Sequence, residues 1–176
     1  MQKPANLAIP EIVLVACCKT KLDHHAAAQD LYQGAIFKLA RQYAEGIGAP
    51  WYILSAKHHI LRPGELIDPY EETLIGRKKR DRQIWADRTG CKARQFFRQD
   101  GWPQRILWLA GETYSEFLEE DFGTSWRFAR SEIVGSEVIN RWQVIPCEHI
   151  FPLAHLGIGL QKKRLGEMLA SVRSAA

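Results

Sequence analysis

The chain has 176 residues, 46% of them hydrophobic and 25% charged, with a formal net charge of +4. Those proportions belong to one ordinary globular domain, residues 1–176, large enough to bury a core without staples. They exclude a membrane helix, because the longest apolar runs, such as Ile12 to Cys18, fall far short of the roughly 20 residues a bilayer requires.

Met1 to Pro10 lacks a basic segment followed by a long apolar stretch, so no secretory signal is read and a cytoplasmic protein is expected. Cys17, Cys18, Cys91 and Cys147 form no C-x-x-C pair and no zinc-type spacing, which predicts reduced thiols. Charge is unevenly spread. Between Arg77 and Arg105 ten cations face only Asp81, Asp87 and Asp100, and an acidic run from Glu112 to Asp121 follows. A polarised surface, basic on one side, is expected.

In chain order, Glu11 to Cys18 is a continuous apolar and β-branched run, the pattern of a strand covered on both faces in a parallel sheet. Ala35 to Ile47 carries apolar residues at helical spacing and ends among glycines, and Trp51 to Ala56 reads as a second strand. Strand, helix, strand predicts a right-handed crossover and two parallel strands. Lys57 to Ile75, with Pro63-Gly64 and Asp68-Pro69-Tyr70, shows no period and is expected to be a long functional or mobile loop with one turn of helix at most.

A basic helix is predicted from Arg77 to about Arg98, with Gly90 as a point of interruption and its aromatic residues in the core. Arg105 to Ala110 is a third strand, Thr113 to Phe122 a short helix, and Trp126 to Arg141 ambiguous. Trp142 to Pro152 is expected to hold a last strand with Pro146 at its end or at an edge, and Ile158 to Val172 a closing helix. The whole predicts a three-layer α/β domain with a largely parallel central sheet.

Three of these strands end in small or reactive residues: Cys17-Cys18-Lys19-Thr20-Lys21, Ser55-Ala56-Lys57-His58-His59 and Gly111-Glu112-Thr113-Tyr114. Parallel strands bring such ends to one sheet edge, where open α/β folds bind ligands. Cys18, Lys19, Lys21, Ser55, Lys57, Gly111 and Tyr114 are therefore expected to border one cleft. Lys19, Lys21, Ser55 and Lys57 are the candidate catalytic residues, the lysines holding an anion or acting as nucleophile and Ser55 pairing with Lys57. Cys18, Tyr32, Tyr70, Gly111, Glu112 and Tyr114 are candidates for substrate contact. Arg77, Lys78, Lys79 and Arg80 are candidates for holding a nucleic-acid backbone.

His58 and His59 are adjacent, so in an extended chain they face opposite ways, and no i,i+4 or His-Glu-x-x-His pair exists to hold a metal. No metal is expected. Gly157-Ile-Gly159 completes neither a dinucleotide fingerprint nor a Walker loop, so no nucleotide cofactor is expected either.

Cys18-Lys-Thr-Lys21, Asp30-Leu-Tyr32, Ile53-Leu-Ser-Ala-Lys57, Pro69-Tyr70, Gly111-x-x-Tyr114 and Pro152-Leu-x-x-Leu-Gly-Ile-Gly159 in this order resemble a widespread bacterial family known only as a domain of unknown function. In that resemblance His59 stands where a glycine is usual. The first motif is also distantly similar to the peroxide-stress protein family and to a domain of archaeosine synthases, which modify a base in tRNA. What the resemblance implies is chemistry on a nucleobase or nucleic acid, with Cys18, Lys19 and Lys21 as the matching positions. A small enzyme for nucleic acid or a nucleobase-containing substrate is the expected function. A catalytically silent binding or regulatory module and a hydrolase of a small anionic metabolite are the alternatives.

Overall fold

A computed structural model describes residues 11–118, 122, 127–134, 137–144 and 147–175. It is a mixed α/β structure whose main sheet has five strands, and five helices are present among the described residues. β1 (Ile12–Ala16) lies at the centre, parallel to β3 (Trp51–Ser55) on one side and to β6 (Arg105–Leu109) on the other. β9 (Glu148–Ile150) extends the sheet in parallel beyond β6. β4 (His59–Leu61) closes the opposite edge as an antiparallel partner of β3.

The β1 sequence Ile-Val-Leu-Val is buried on both sides because neighbouring residues of a strand point to opposite faces. Val13 and Val15 join one apolar cluster with Ile53, Leu107 and Leu109, under Phe37, Ala40 and Ala44 of α2 (Ala35–Gly46). Ile12 and Leu14 join the other with Tyr52, Leu54 and Trp108, under Trp85, Ala93 and Phe97 of α3 (Lys79–Asp100). α5 (Ile158–Ala175) packs beside α2, contributing Leu165 to the first cluster. Burying one such aliphatic side chain stabilises the fold by roughly 1.5–3 kcal/mol, so the alternation along β1 fixes which helix covers which face.

Several expectations need correction. The segment from Lys57 to Ile75 is no plain loop: a turn after Ser55 returns the chain as β4, and β5 (Leu66–Ile67) pairs with β2 (Ala26–Ala27). These strands, of two and three residues, are too short to show a period. The turn places His59 at φ +68, the left-handed region that glycine tolerates best. Gly90 does not interrupt α3, because it lies buried within the helix. The helix begins two residues later than expected, after Gly76 at φ +78.

Between β6 and β7 the described helical residues are α4 (Glu112–Ser115), Leu118 and Phe122, and 119–121 lie outside the described residues. The ambiguous region is an antiparallel hairpin, β7 (Arg127–Val134) with β8 (Glu137–Val144). The expected last strand over Trp142 to Pro152 is thus divided between β8 and β9, and Pro146 lies outside the described residues. The four-residue helix α1 (Ala28–Leu31) precedes Tyr32, which bridges to Lys21. No helix is long and apolar enough to cross a membrane among the described residues.

Candidate functional site

Because β1, β3, β6 and β9 are parallel, the residues after Ala16, Ser55 and Leu109 emerge on one edge of the sheet. Tyr70 stands at the centre of that edge. Its ring is buried, 6% exposed, and its hydroxyl lies 2.7 Å from Ser55 Oγ and 2.8 Å from the Tyr32 hydroxyl. Ser55 Oγ also accepts the backbone N–H of His58 at 3.0 Å. The last carbonyl of β3, that of Ser55, accepts the Trp85 indole N–H at 3.0 Å, which fastens α3 to the same edge. Three hydroxyls without water must satisfy one another, since an unpaired buried hydroxyl costs about 1–3 kcal/mol.

Two ammonium groups converge on the Tyr70 ring. Lys21 Nζ lies 4.3 Å and Lys57 Nζ 5.7 Å from its centroid. Lys21 Nζ donates to the Lys19 carbonyl at 3.1 Å, and among the described residues neither lysine is paired with a carboxylate. An aromatic face attracts a cation weakly at an exposed site, by about 0.5–1 kcal/mol, so the pair is gathered without being neutralised. Neither ammonium is held in an ion pair among the described residues, so both stay available to an anion, with Glu71 and Glu72 in the walls of the same cavities.

The space above them is divided. One cavity of about 290 Å³ is lined by Cys17, Cys18, Lys19 and Lys21 together with Glu71, Glu72, Thr73, Ile75 and Tyr114. A second, about 390 Å³, shares Cys17, Cys18, Ile75 and Tyr114 with it and continues over Leu109, Gly111 and Leu153 to Ile158 and Gln161 of α5. Lys57 borders a third, about 400 Å³, between the turn after β3 and α3. The single expected cleft is therefore three adjoining chambers, an apolar one and two of mixed charge, the first of which sets Lys19 and Lys21 against Glu71 and Glu72. Ser55, fully buried, and Tyr32, 1% exposed, stand beneath them and not in their walls. A Ser55–Lys57 nucleophile pair has no support in this geometry, because the hydroxyl is enclosed and turned to Tyr70.

The thiols are held closely. Cys17 Sγ is 3.2 Å from the Tyr114 hydroxyl. Cys18 Sγ accepts the Gly34 N–H at 3.1 Å and donates to the Thr20 carbonyl at 3.1 Å. Burial pushes the Cys18 thiol above its ordinary value, outweighing the Gly34 N–H and the charge of Lys21, so it stays protonated at neutral pH. Burial likewise drives the phenols of Tyr32, Tyr70 and Tyr114 well above the usual tyrosine range. None of these groups is activated as an anionic nucleophile.

Gly34, at the start of α2, was not expected to matter. A Cβ there would meet Cys18 Sγ at 2.8 Å, so only glycine lets the first strand end seat its thiol against the helix. No local pattern announces a contact between residues so far apart in sequence.

The basic helix is partly neutralised. Arg77 lies 3.9 Å from Glu72, Arg82 2.8 Å from Glu116, Lys92 3.7 Å from Glu65, and Arg105 2.7 Å from Glu148. Lys78, Lys79 and Arg80 remain exposed at the α3 N-terminus, where the helix dipole disfavours cations; Lys79 lies over the Phe117 ring at 5.8 Å. Trp85 and Phe97 are core residues, as expected. His58 packs edge-on against Tyr70 at 5.2 Å, whereas His59 Nδ1 reaches Thr89 Oγ1 at 3.3 Å. Glu112 is exposed, 3.7 Å from His155. No cluster of potential metal ligands exists among the described residues.

The fold and this edge define an α/β domain with a preformed, cation-bearing cleft at the carboxyl ends of its parallel strands. The chain belongs to a family of unknown function, DUF6884, whose model matches residues 12–137. No significant match was found among curated proteins or solved structures. The matched span carries all three lysines, Tyr70 and Tyr114, while the far wall of the apolar chamber, with Leu153, Ile158 and Gln161, lies beyond it.

Proposed function

We propose that this domain takes a phosphorylated, nucleobase-containing substrate at the sheet edge, with Lys19 and Lys21 holding the phosphate and the adjoining apolar chamber receiving the base. The observation that carries this reading is that Lys21, on the Tyr70 ring and in no ion pair among the described residues, lines with Lys19 a cavity that adjoins an apolar one. An anion with a planar apolar end complements the joined chambers, whose shared wall is Cys17, Cys18, Ile75 and Tyr114. The resemblance of Cys18-Lys-Thr-Lys21 to a nucleobase-modifying domain points the same way. The two apolar clusters, one on each face of the sheet, support reading the domain as three layers with this site along one rim.

Calorimetric titration with nucleoside monophosphates, the corresponding nucleosides and inorganic phosphate tests the reading. A monophosphate should bind more tightly than either fragment, and Lys21→Ala should weaken it at least tenfold. The same substitution should shift folding stability by less than about 1 kcal/mol, the scale of surface changes. Unchanged affinity in Lys21→Ala, or a monophosphate no better than its fragments, would overturn the proposal. One observation favours a non-catalytic binding module as the second reading: burial holds the Cys18 thiol and the Tyr70 and Tyr114 phenols above their ordinary values, away from an anionic nucleophile.

A further inference from the structure

The mixed-charge chamber bordered by Lys57 has no part in holding a mononucleotide, yet it is built from groups that suit the next unit of a strand. Its walls bring Lys57, Arg77 and Arg88 together with Glu72, Asp81 and His59. Lys57 and Arg88 are paired with no carboxylate among the described residues, and Arg77 is only 3.9 Å from Glu72, a looser contact than the 2.7 Å between Arg41 and Asp30. Three cations therefore face two carboxylates, with none of the cations in a short ion pair among the described residues, although Arg77 Nε donates to the Thr73 carbonyl at 3.1 Å.

Besides these charges the walls hold Ala56, Leu74, Ile84 and Trp85 and one hydrogen-bond acceptor, His59. Thr89 Oγ1 gives its only proton to the Trp85 carbonyl at 2.7 Å, so it accepts from His59 Nδ1–H at 3.3 Å. That leaves the His59 Nε2 lone pair without a partner. Burial, with Arg88 and Lys92 nearby, disfavours a second proton on the ring. His59 is held there at φ +68, a backbone state that costs a non-glycine residue on the order of 1–3 kcal/mol and that clusters at ligand sites. Cations suit a phosphodiester. The one acceptor beside them, on His59, suits a hydroxyl or N–H of a sugar or base.

The two charged chambers are also contiguous. Both are bordered by Glu72, and their lysines stand on the same Tyr70 ring, one 4.3 Å and the other 5.7 Å from its centre. A single strand that passes Glu72 can meet both.

We infer that the chamber lined by Lys57, Arg77 and Arg88 is a second phosphate site, so that the substrate is a phosphodiester-linked nucleotide segment and not a free mononucleotide. This rests on the proposed reading of the first site.

The test titrates wild type and Arg88→Ala with a nucleoside monophosphate and with a 5′-phosphorylated dinucleotide. The dinucleotide should bind at least tenfold more tightly than the monophosphate, with a steeper salt dependence by about 0.7 in log–log slope for the added phosphate. Arg88→Ala should remove that advantage and leave monophosphate affinity unchanged; Arg88 is an exposed helix residue, and a thermal melt confirms that the variant folds. Equal affinities for the two ligands in wild type, or equal losses for both in Arg88→Ala, would overturn the second site while leaving the first intact. If neither ligand binds wild type, the first site falls, and the second with it.

Discussion

Replacing Tyr70 by phenylalanine separates the two jobs that the structure gives this residue. The substitution deletes the hydroxyl that lies 2.7 Å from Ser55 Oγ and 2.8 Å from the Tyr32 hydroxyl, both of them in the dry interior. Ser55 Oγ keeps the His58 N–H whereas the Tyr32 hydroxyl loses the group it faces, so one buried hydroxyl, not two, is left without a partner. The cost is that of a single unpaired polar group, about 1–3 kcal/mol. For a chain of this size each kcal/mol lowers the melting temperature by roughly 2–4 °C, so a fall of about 4–8 °C is expected near the middle of the range. The ring stays, and with it the platform for Lys21 and Lys57, so ligand affinity should change by less than threefold. Circular-dichroism melts beside calorimetric titrations make the comparison. A melt within 1 °C of wild type would refute the claim that the hydroxyl cluster stabilises the edge, and a tenfold loss of affinity at unchanged stability would mean that the phenol touches ligand.

Gly34→Ala should destabilise by about 1–3 kcal/mol through overpacking, since its Cβ would sit 2.8 Å from Cys18 Sγ; Cys18→Ala in the same chain should recover part of that loss, and a purely additive double-mutant cycle would count against the contact. His59→Gly should be more stable than His59→Ala by about 1 kcal/mol, because both lose the imidazole and only glycine accepts φ +68 without strain; equal denaturant midpoints would contradict this. Stability should decline as pH falls below 6.5, the ordinary histidine value, because burial lowers the pKa of His58, His59 and His149 in the folded state. The unfolded chain then takes up protons first, and the stability held above that pH is lost towards the depressed folded values. Urea melts at pH 7.5 and 5.5 should show the decline, and His149→Gln should reduce it.

Much of this was legible in the chain itself, for physical reasons. Ile12 to Val15 could only be a strand buried on both faces, and the crossover through α2 made β3 its parallel neighbour. Once two strands are parallel, their carboxyl ends must share an edge, which is why Lys21 and Lys57 could be placed together without coordinates. What could not be read is how that edge is subdivided. Ser55 follows an apolar strand and reads as exposed, yet Tyr70 reaches it through a loop whose path no local rule sets. β4 is three residues long, too short for alternation to register. The left-handed conformation of His59, at φ +68, is one that the sequence around it does not announce.

The position of Tyr70 has a dynamic consequence. Its segment, 68–77, has little regular structure to hold it in place; its inner anchor is the bond to Ser55 on β3 and to Tyr32 beyond α1. If the segment lifts away, the ring leaves both ammoniums and the two lysines lose their common support at once. The cleft and the segment therefore open as one cooperative unit, and amide exchange at 68–77 should slow in step with ligand occupancy instead of tracking the global unfolding of the sheet.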